Sequence, residues 1–436
     1  MKQIRIFLLS ITVLAFFSAT IASAQSDEPV AVVMTVDGPI MPPMLEYIKR
    51  GIKTAEQRNA EVIVMQLNTP GGSIATMLEI IEVMRLSEVP IVVYVSPKEA
   101  IAGSAGALIT MAGHASAMAP GTAIGAASPI ESSGADIEST LESKVKEILK
   151  AKARSLVEER GAEAVKLADA MIDEATAVTA KEALEVNLID FISDDTEDLL
   201  QSLNGFIVQM DDGKITINTE NVRTEDINIS FIEQLLLMLT DPNIAFLLLA
   251  IGVQGILIEI SSPGGWFAGF LGATCLTLAV YGMGVLSVNW FGGIFLIIAF
   301  VLFILDIKAP THGALTTAGV ASFIVGALVL FNSPGTPQFQ RVSVPLVIGM
   351  GIFIGLLFFG ILLLALRAQN NPIQTGSERL LGKTGTAKTF TGDAGQVQVE
   401  SELWSAEKSA GSEKISKGDS VEVVEVRGLR LIVKKK

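Results

Sequence analysis

The chain has 436 residues, a formal net charge of -14, a mean hydropathy of +0.51 and a hydrophobic content of 50%. This hydropathy indicates membrane spans, and the acidic balance disfavours nucleic acid as a partner. One cysteine and two histidines exclude a disulfide framework and a thiolate metal cluster, and they leave little room for a histidine-based catalytic triad.

Residues 1–24 form a predicted secretory signal peptide. Lys2 and Arg5 supply a positive start, residues 6–17 an apolar core, and residues 22–24 a small-residue cleavage site. The alternative is an uncleaved anchor, although the apolar run is short for a membrane span. Either interpretation places the domain that follows outside the cytoplasm.

Residues 25–235 are predicted to form an α/β domain. Near-continuous apolar strands at Val30–Val36, Glu61–Leu67 and Ile91–Val95 alternate with apolar residues at helical spacing. This alternation with short connections predicts a parallel sheet covered by helices. Ligands bind such sheets at the carboxyl ends of the strands, which is where we expect a functional site.

Two loops of small residues follow these strands, one at residues 68–73 and the other at residues 101–107, which contains Ser104. Glycines let a second backbone approach closely and expose N–H groups, so two such loops could surround a serine nucleophile with oxyanion-hole donors. The alternatives are an ordinary strand-to-helix turn for the first loop and a helix cap for Ser104.

A nucleophilic serine needs a base, and neither histidine suits this role. His114 would lie at the far end of the helix that leaves the serine, and His312 lies beside predicted membrane spans. A lysine serves as a base when burial lowers its pKa. The candidates therefore lie in the lysine-rich region at residues 131–160, which contains a predicted helix from about residue 137 to residue 159.

The region from 240 to 368 is a predicted membrane region with four or five transmembrane helices. Its apolar runs cover residues 244–260, 266–287, 289–306, 314–332 and 343–366. Ionisable residues are nearly absent inside these runs, which disfavours a transporter. The count stays open because only a short polar step separates the second run from the third, while basic residues near the last run favour a C-terminus inside the cell.

Residues 376–436 form a predicted small β-barrel, because short alternating segments are separated by glycines. A barrel that binds oligonucleotides carries interleaved basic and aromatic residues. Phe390 and Trp404 are the only aromatic residues of this segment. We therefore expect no nucleic-acid binding by this domain.

Several ordered motifs resemble the membrane-bound ClpP-class serine proteases of the NfeD family, long form. The motifs are residues 68–72, 103–106 and 118–126, together with the segment 179–190, which carries Asn187 where glycine is more usual. The resemblance covers the whole mature chain. It implies an α/β ClpP/crotonase-like N-terminal domain, a polytopic α-helical membrane region and a small all-β OB-like C-terminal domain.

The resemblance also implies a Ser-Lys dyad. Ser104 matches the nucleophile and Lys144 matches the base, with Lys146 as a neighbouring alternative. The backbone N–H groups of Gly71 and Ala105 match the donors of the oxyanion hole. No metal or cofactor is implied.

The function expected from this resemblance is that of a serine endopeptidase that cleaves hydrophobic segments of a stomatin-like membrane partner. We expect a homodimer or higher homo-oligomer that contacts lipid in a bacterial inner or plasma membrane. The protease domain would be extracytoplasmic and the C-terminal domain cytoplasmic. The alternative is a non-catalytic membrane scaffold that organises the same partner, because a fold alone does not fix a function. An acyl-CoA hydratase-like site is disfavoured, since no stretch resembles a nucleotide-binding motif.

Overall fold

The computed structural model describes residues 29–128, 139–261, 264–309, 311, 313–334, 336–369 and 377–436. The predicted signal peptide lies outside these residues. The chain divides into two compact units, of which the first ends at Gly355 and the second begins at Leu356.

The first unit begins with an α/β domain. Its strands are β1 (Val30–Asp37), β2 (Val62–Asn68), β3 (Ile91–Val95), β4 (Ile101–Gly103), β5 (Ala115–Met118), β6 (Ala123–Gly125), β7 (Ala177–Thr179), β8 (Phe191–Ile192), β9 (Ile207–Met210), β10 (Gly213–Thr216) and β11 (Arg223–Ile227). Its helices are α1 (Pro42–Gln57), α2 (Ile74–Arg85), α3 (Ala105–Ala112), α4 (Ser139–Val157), α5 (Ala162–Asp173), α6 (Ala180–Glu185), α7 (Thr196–Leu203) and α8 (Phe231–Leu239).

The main sheet has six parallel strands in the order β11-β1-β2-β3-β5-β8. Every residue of β3 is buried, as expected for a strand covered on both faces. Neighbouring residues of β1 serve different cores: Val32 belongs to the larger core with α1 to α5, whereas Val33 packs with Leu199 and Leu203 of α7. The predicted parallel sheet covered by helices is thus confirmed.

A second sheet of three strands has the order β4-β6-β7. Residues 101–103 were expected to belong to a turn between β3 and the following helix. They instead form β4, which pairs in parallel with β6. The serine loop is consequently held by a sheet of its own.

The segment from 204 to 230 forms short strands at the edge of the domain. The antiparallel hairpin β9–β10 comes first, and β11 then adds to the edge of the main sheet beside β1. Because β1 and β11 run in parallel, the chain leaves the sheet at the edge where the functional loops are expected.

Five apolar helices follow, and they match the five predicted apolar runs. They are α9 (Pro242–Ser261), α10 (Phe267–Val285), α11 (Phe291–Lys308), α12 (Ala314–Phe331) and α13 (Val344–Gln369). Over the described residues, α9, α10 and α12 are long and apolar enough to cross a membrane, and α11 and α13 contain shorter apolar stretches. The number of spans therefore remains a prediction of four or five.

The first four apolar helices form two hairpins, α9–α10 and α11–α12. At the turn of the first, Glu259 accepts hydrogen bonds from the backbone N–H groups of Gly264 and Trp266. At the turn of the second, Asp306 accepts hydrogen bonds from the hydroxyl groups of Thr311 and Thr316. Each hairpin is thus closed by one acidic side chain.

The second unit contains a closed five-stranded barrel in the order β12-β13-β14-β16-β15. Its strands are β12 (Thr384–Thr391), β13 (Ala394–Val399), β14 (Glu402–Lys408), β15 (Ser420–Arg427) and β16 (Arg430–Lys435). Val397, Val421 and Leu431 fill its interior. The small all-β domain predicted for residues 376–436 is confirmed as a fold.

Candidate active site

The loop that follows β2 is fixed to the segment that follows β1. The backbone N–H of Ile40 donates to the carbonyl of Gly71 at 2.8 Å, and the N–H of Ser73 donates to the carbonyl of Ile40 at 2.9 Å. Ser73 also caps α2 by accepting a hydrogen bond from the N–H of Thr76. This loop is therefore held by backbone bonds on the β1 side and by a helix cap at its end.

The same loop is joined to β4 on its other side. The N–H of Thr69 donates to the carbonyl of Ile101 at 2.7 Å, and the N–H of Gly103 donates to the carbonyl of Thr69 at 2.9 Å. The next residue, Ser104, donates its N–H to the carbonyl of Gly125 at 3.0 Å. The two small-residue loops singled out in the sequence are thus adjacent at the carboxyl ends of the strands.

Ser104 has an unusual backbone conformation, with φ 50° and ψ -113°. A residue other than glycine held at positive φ stores on the order of 1–3 kcal/mol, and such residues cluster at functional sites. Ser104 precedes α3, but its hydroxyl makes no capping hydrogen bond among the residues that the structure describes. The interpretation of Ser104 as a helix cap is therefore wrong.

Gly71 lies directly against the serine. A Cβ atom placed on Gly71 would lie 2.6 Å from the Cβ and 3.1 Å from the Oγ of Ser104, and Gly71 has a φ of +115°. Only glycine satisfies both the space and the backbone angle. Ala105 is the first residue of α3, and N–H groups in the first turn of a helix have no partner within it. Gly71 thus lies against the Ser104 side chain, and the N–H of Ala105 follows it at the start of the helix.

Thr69 contributes an interaction that sequence reasoning missed. Its Oγ1 accepts a hydrogen bond from the N–H of Gly71 at 3.0 Å and donates to the carbonyl of Gly71 at 3.2 Å. Thr69 is fully buried. In this conformation one of the two predicted oxyanion donors is therefore occupied by a side chain of the same loop. A threonine two residues before a glycine, in a turn that also contains proline, is the sequence signal for such a local bond.

Lys144 lies near the start of α4. The helix packs against the core through Val145, Leu149 and Ala153, and the Lys144 side chain is exposed beside this face. Lys146, the alternative base, is half-buried. Within the described part of the chain, no hydrogen bond or ion pair joins Lys144 to Ser104.

The second half of α4 is held to α5 by ion pairs. Lys150 lies 2.6 Å from Asp173, and Arg154 lies 2.9 Å from Asp169. These two basic residues thus connect the two helices. The anchored half of α4 is therefore the half that lies away from Lys144.

His114 lies two residues beyond the end of α3, at the far end from Ser104 as predicted. Its ring Nδ1 accepts a hydrogen bond from the backbone N–H of Ile91 at 3.0 Å. The backbone N–H of His114 donates to the carbonyl of Ile91 at 2.8 Å. Burial lowers the pKa of His114 to about 4. The residue therefore stays neutral near pH 7 and supports the fold.

A cavity of about 620 Å³ lies at the face of the main sheet that packs against α7. Its lining includes Val33, Gln66, Thr196 and Asp226 and none of the predicted site residues. No group of three His, Cys, Asp or Glu side chains able to hold a metal ion occurs among the described residues. The serine loop thus remains the candidate site.

Fold and site together define a class of protein: an α/β domain that presents a strained serine at the carboxyl edge of its sheet, followed by apolar helices and a small barrel. Three family models match the chain in this order. They are the NfeD1b N-terminal domain over residues 29–216, the NfeD integral membrane domain over residues 243–364, and the NfeD-like C-terminal, partner-binding domain over residues 377–435.

Individual relatives agree with these matches. The chain is 34% identical to the membrane-bound protease PH1510 of Pyrococcus horikoshii, over 98% of both sequences. It is 25% identical to the membrane protein NfeD1b of Bacillus subtilis, over 99% of both. The chain belongs to the NfeD family, and it is an integral membrane protein.

One solved structure of similar sequence is the 1510-N membrane-bound stomatin-specific protease, crystallised as a lysine-to-alanine variant with a substrate peptide. It is 31% identical, with a TM-score of 0.45, and the match covers 48% of this chain and 97% of that one.

Proposed function

We propose that this chain is a membrane-anchored serine endopeptidase with Ser104 as its nucleophile. The observation that carries the proposal is the strained Ser104 at the start of α3, in contact with Gly71 of the neighbouring loop. Its hydroxyl is not used as a helix cap, and small residues around it leave room for a peptide backbone. A serine placed in this way can attack a carbonyl if a base takes its proton.

The proposed reaction uses Lys144 as the base. Lys144, as a neutral amine, takes the proton of the Ser104 hydroxyl while Oγ forms a bond to the peptide carbonyl carbon. The carbonyl oxygen gains negative charge and accepts hydrogen bonds from the N–H groups of Gly71 and Ala105. The C–N bond then breaks, and the lysine returns the proton to the leaving amine. Water attacks the acyl-enzyme ester in the same manner and releases the acid.

Two features must change before this reaction proceeds. The N–H of Gly71 must turn from Thr69 Oγ1 towards the substrate. The amine of Lys144, which is exposed, must be shielded from solvent water before it can act as a base. A bound peptide with apolar side chains would supply the second change by covering the exposed amine. Ile101, exposed near the serine loop, offers an apolar contact for such a peptide.

We infer the substrate and setting from the relatives. A solved relative is described as a stomatin-specific protease, and the matching C-terminal family model is described as partner-binding. We therefore propose that this chain cleaves hydrophobic segments of a stomatin-like membrane partner. The proposal includes a homodimer or higher homo-oligomer, an extracytoplasmic protease domain and a cytoplasmic barrel in a bacterial inner or plasma membrane.

The alternative is a non-catalytic scaffold that organises the same partner. One observation favours the scaffold: Lys144 is exposed, and within the described part of the chain no hydrogen bond or ion pair joins it to Ser104. A phosphonylating reagent distinguishes the two functions. It would label Ser104 only if the hydroxyl is activated, and a scaffold would remain unlabelled.

The test is hydrolysis of an apolar peptide by the soluble fragment 25–235. Wild type is compared with Ser104→Ala, Lys144→Ala and the matched control Lys146→Ala. We expect a loss of at least about 10³-fold in the first two variants and little change in the third. Retained activity in Ser104→Ala would refute the assignment of Ser104 as the nucleophile. Loss of activity in Lys146→Ala, with activity kept in Lys144→Ala, would assign the base to Lys146.

A further inference from the structure

Helix α8 joins the catalytic domain to the first apolar helix, and it has two different faces. Glu233 and Leu237 point to the domain, where Leu237 packs against the main core. Phe231, Leu235 and Met238 recur at helical spacing on the other side. Their exposed fractions are 79%, 44% and 52%. A water-facing helix side is normally polar, so this apolar face needs another partner.

The inner face of α8 is firmly attached to the domain. Arg50 of α1 donates two hydrogen bonds to the carboxylate of Glu233, at 2.8 and 2.7 Å, and a third to the carbonyl of Asn228. Glu233 also closes a capping box with Ser230. The hydrogen bonds from Arg50 and Ser230 hold the pKa of Glu233 at about 2, so the ion pair between Arg50 and Glu233 stays charged at neutral pH. The apolar side of α8 therefore cannot turn towards the domain without breaking this ion pair.

The position of α8 along the chain indicates what covers its outer face. Only Thr240 and Asp241 separate its last residue from α9, a helix long and apolar enough to cross a membrane. The last turn of α8 also packs against the end of α10, because a Cβ atom on Gly282 would collide with the carbonyl of Leu239. The apolar face is thus continuous with the surfaces of two membrane helices at the level where the chain enters the bilayer.

We propose that Phe231, Leu235 and Met238 lie in the lipid interface and dock the catalytic domain onto the membrane surface. A short helix whose exposed side is apolar, and whose other side is attached to the domain, suits this position. Residues 231–239 contain no lysine or arginine, so the attraction is hydrophobic and does not require anionic lipid.

The test places a fluorescent label at single cysteines of the full-length protein. Cys275→Ala removes the native cysteine, and Leu235→Cys, Met238→Cys or the control Gln57→Cys then carries an NBD label. Gln57 is exposed at the end of α1. Each variant is reconstituted in phosphatidylcholine vesicles with or without bromine at acyl carbons 6 and 7. We expect at least twofold stronger quenching at positions 235 and 238 than at 57.

Equal quenching at all three positions would overturn the proposal. Disulfide cross-linking between two copies at position 235, without quenching by brominated lipid, would also overturn it and assign the face to a second copy of the chain. A matching gel-filtration profile of each variant shows that the label has not unfolded the protein. The two label positions on α8 keep the test valid if one substitution fails to fold.

Discussion

The two halves of the candidate site are built in different ways. The serine half consists of Ser104, Gly71 and their loops, which are joined to each other and to the strands by backbone hydrogen bonds. The lysine half is the start of α4, where Lys144 is exposed and the ion pairs lie further along the helix. Under the proposed mechanism, Ser104 and the two loops around it are therefore positioned by the fold, whereas Lys144 gains its apolar surroundings only from the substrate that binds.

The largest effect is expected from Ser104→Gly, which tests whether the serine half stores strain. Glycine adopts positive φ without penalty, so the variant should be more stable than wild type by about 1 kcal/mol while its hydrolysis falls at least about 10³-fold. Ser104→Ala is the control, since it loses activity but keeps the strained backbone. Chemical unfolding of fragment 25–235 measures the difference, and equal stability of the two variants would show that no strain is stored.

Gly71→Ala should reduce activity by about 10²-fold and stability by about 2–3 kcal/mol, because the new Cβ meets Ser104 and positive φ disfavours alanine. Gly161→Ala is the matched control. Gly161 has a φ of +107° and open space around it, so only the strain of about 1 kcal/mol applies and activity is kept. If both variants lose activity equally, contact with Ser104 is not the cause.

Thr69→Val should raise kcat a fewfold, because it removes the acceptor that occupies the N–H of Gly71 in the resting conformation. The same change leaves a buried N–H without a partner and should lower stability by about 1–2 kcal/mol. Thr69→Ser keeps the hydroxyl and serves as the control. A fall in kcat in Thr69→Val alone would mean that the hydroxyl positions Gly71 for catalysis.

The smallest effect on activity is expected from the protonation of His114, which acts on stability alone. His114 has a folded pKa of about 4, below the ordinary value of 6.5, so the unfolded chain binds the proton first. Stability should be unaffected by this group above pH 6.5 and should fall as the pH drops from about 6.5 to about 4, by on the order of 3 kcal/mol. Denaturant unfolding at pH 7.5, 5.5 and 4.5 measures the slope. His114→Asn should lose that part of the slope, and an unchanged slope would contradict the assignment.

Strand periodicity was sufficient to predict the parallel sheet and the meeting of the two loops. Continuous apolar runs such as Ile91–Val95 belong to strands buried on both faces, and parallel strands bring their carboxyl ends to one edge. The capping box between Thr179 and Glu182 is likewise a local pattern of neighbouring residues.

Other features depend on contacts distant in sequence and were not predictable. Residues 101–103 form a strand only because Ala123–Gly125 lie beside them. The bond between Thr69 and Gly71 is local, but its importance depends on Ser104, which approaches from another loop. The exposure of Lys144 likewise depends on how α4 packs, and the sequence pattern left two lysines as alternatives.

The two acid-closed hairpins of the membrane region have one further consequence. Glu259 precedes Pro263 at the same spacing at which Asp306 precedes Pro310, so α11–α12 repeats the plan of α9–α10. A hairpin returns the chain to its starting level, and the N–H of Ser343, just before α13, indeed donates to Asn243 Oδ1 at the start of α9 at 2.8 Å. The first four apolar helices therefore repeat one plan, and the chain enters α13 close to the level at which it entered α9.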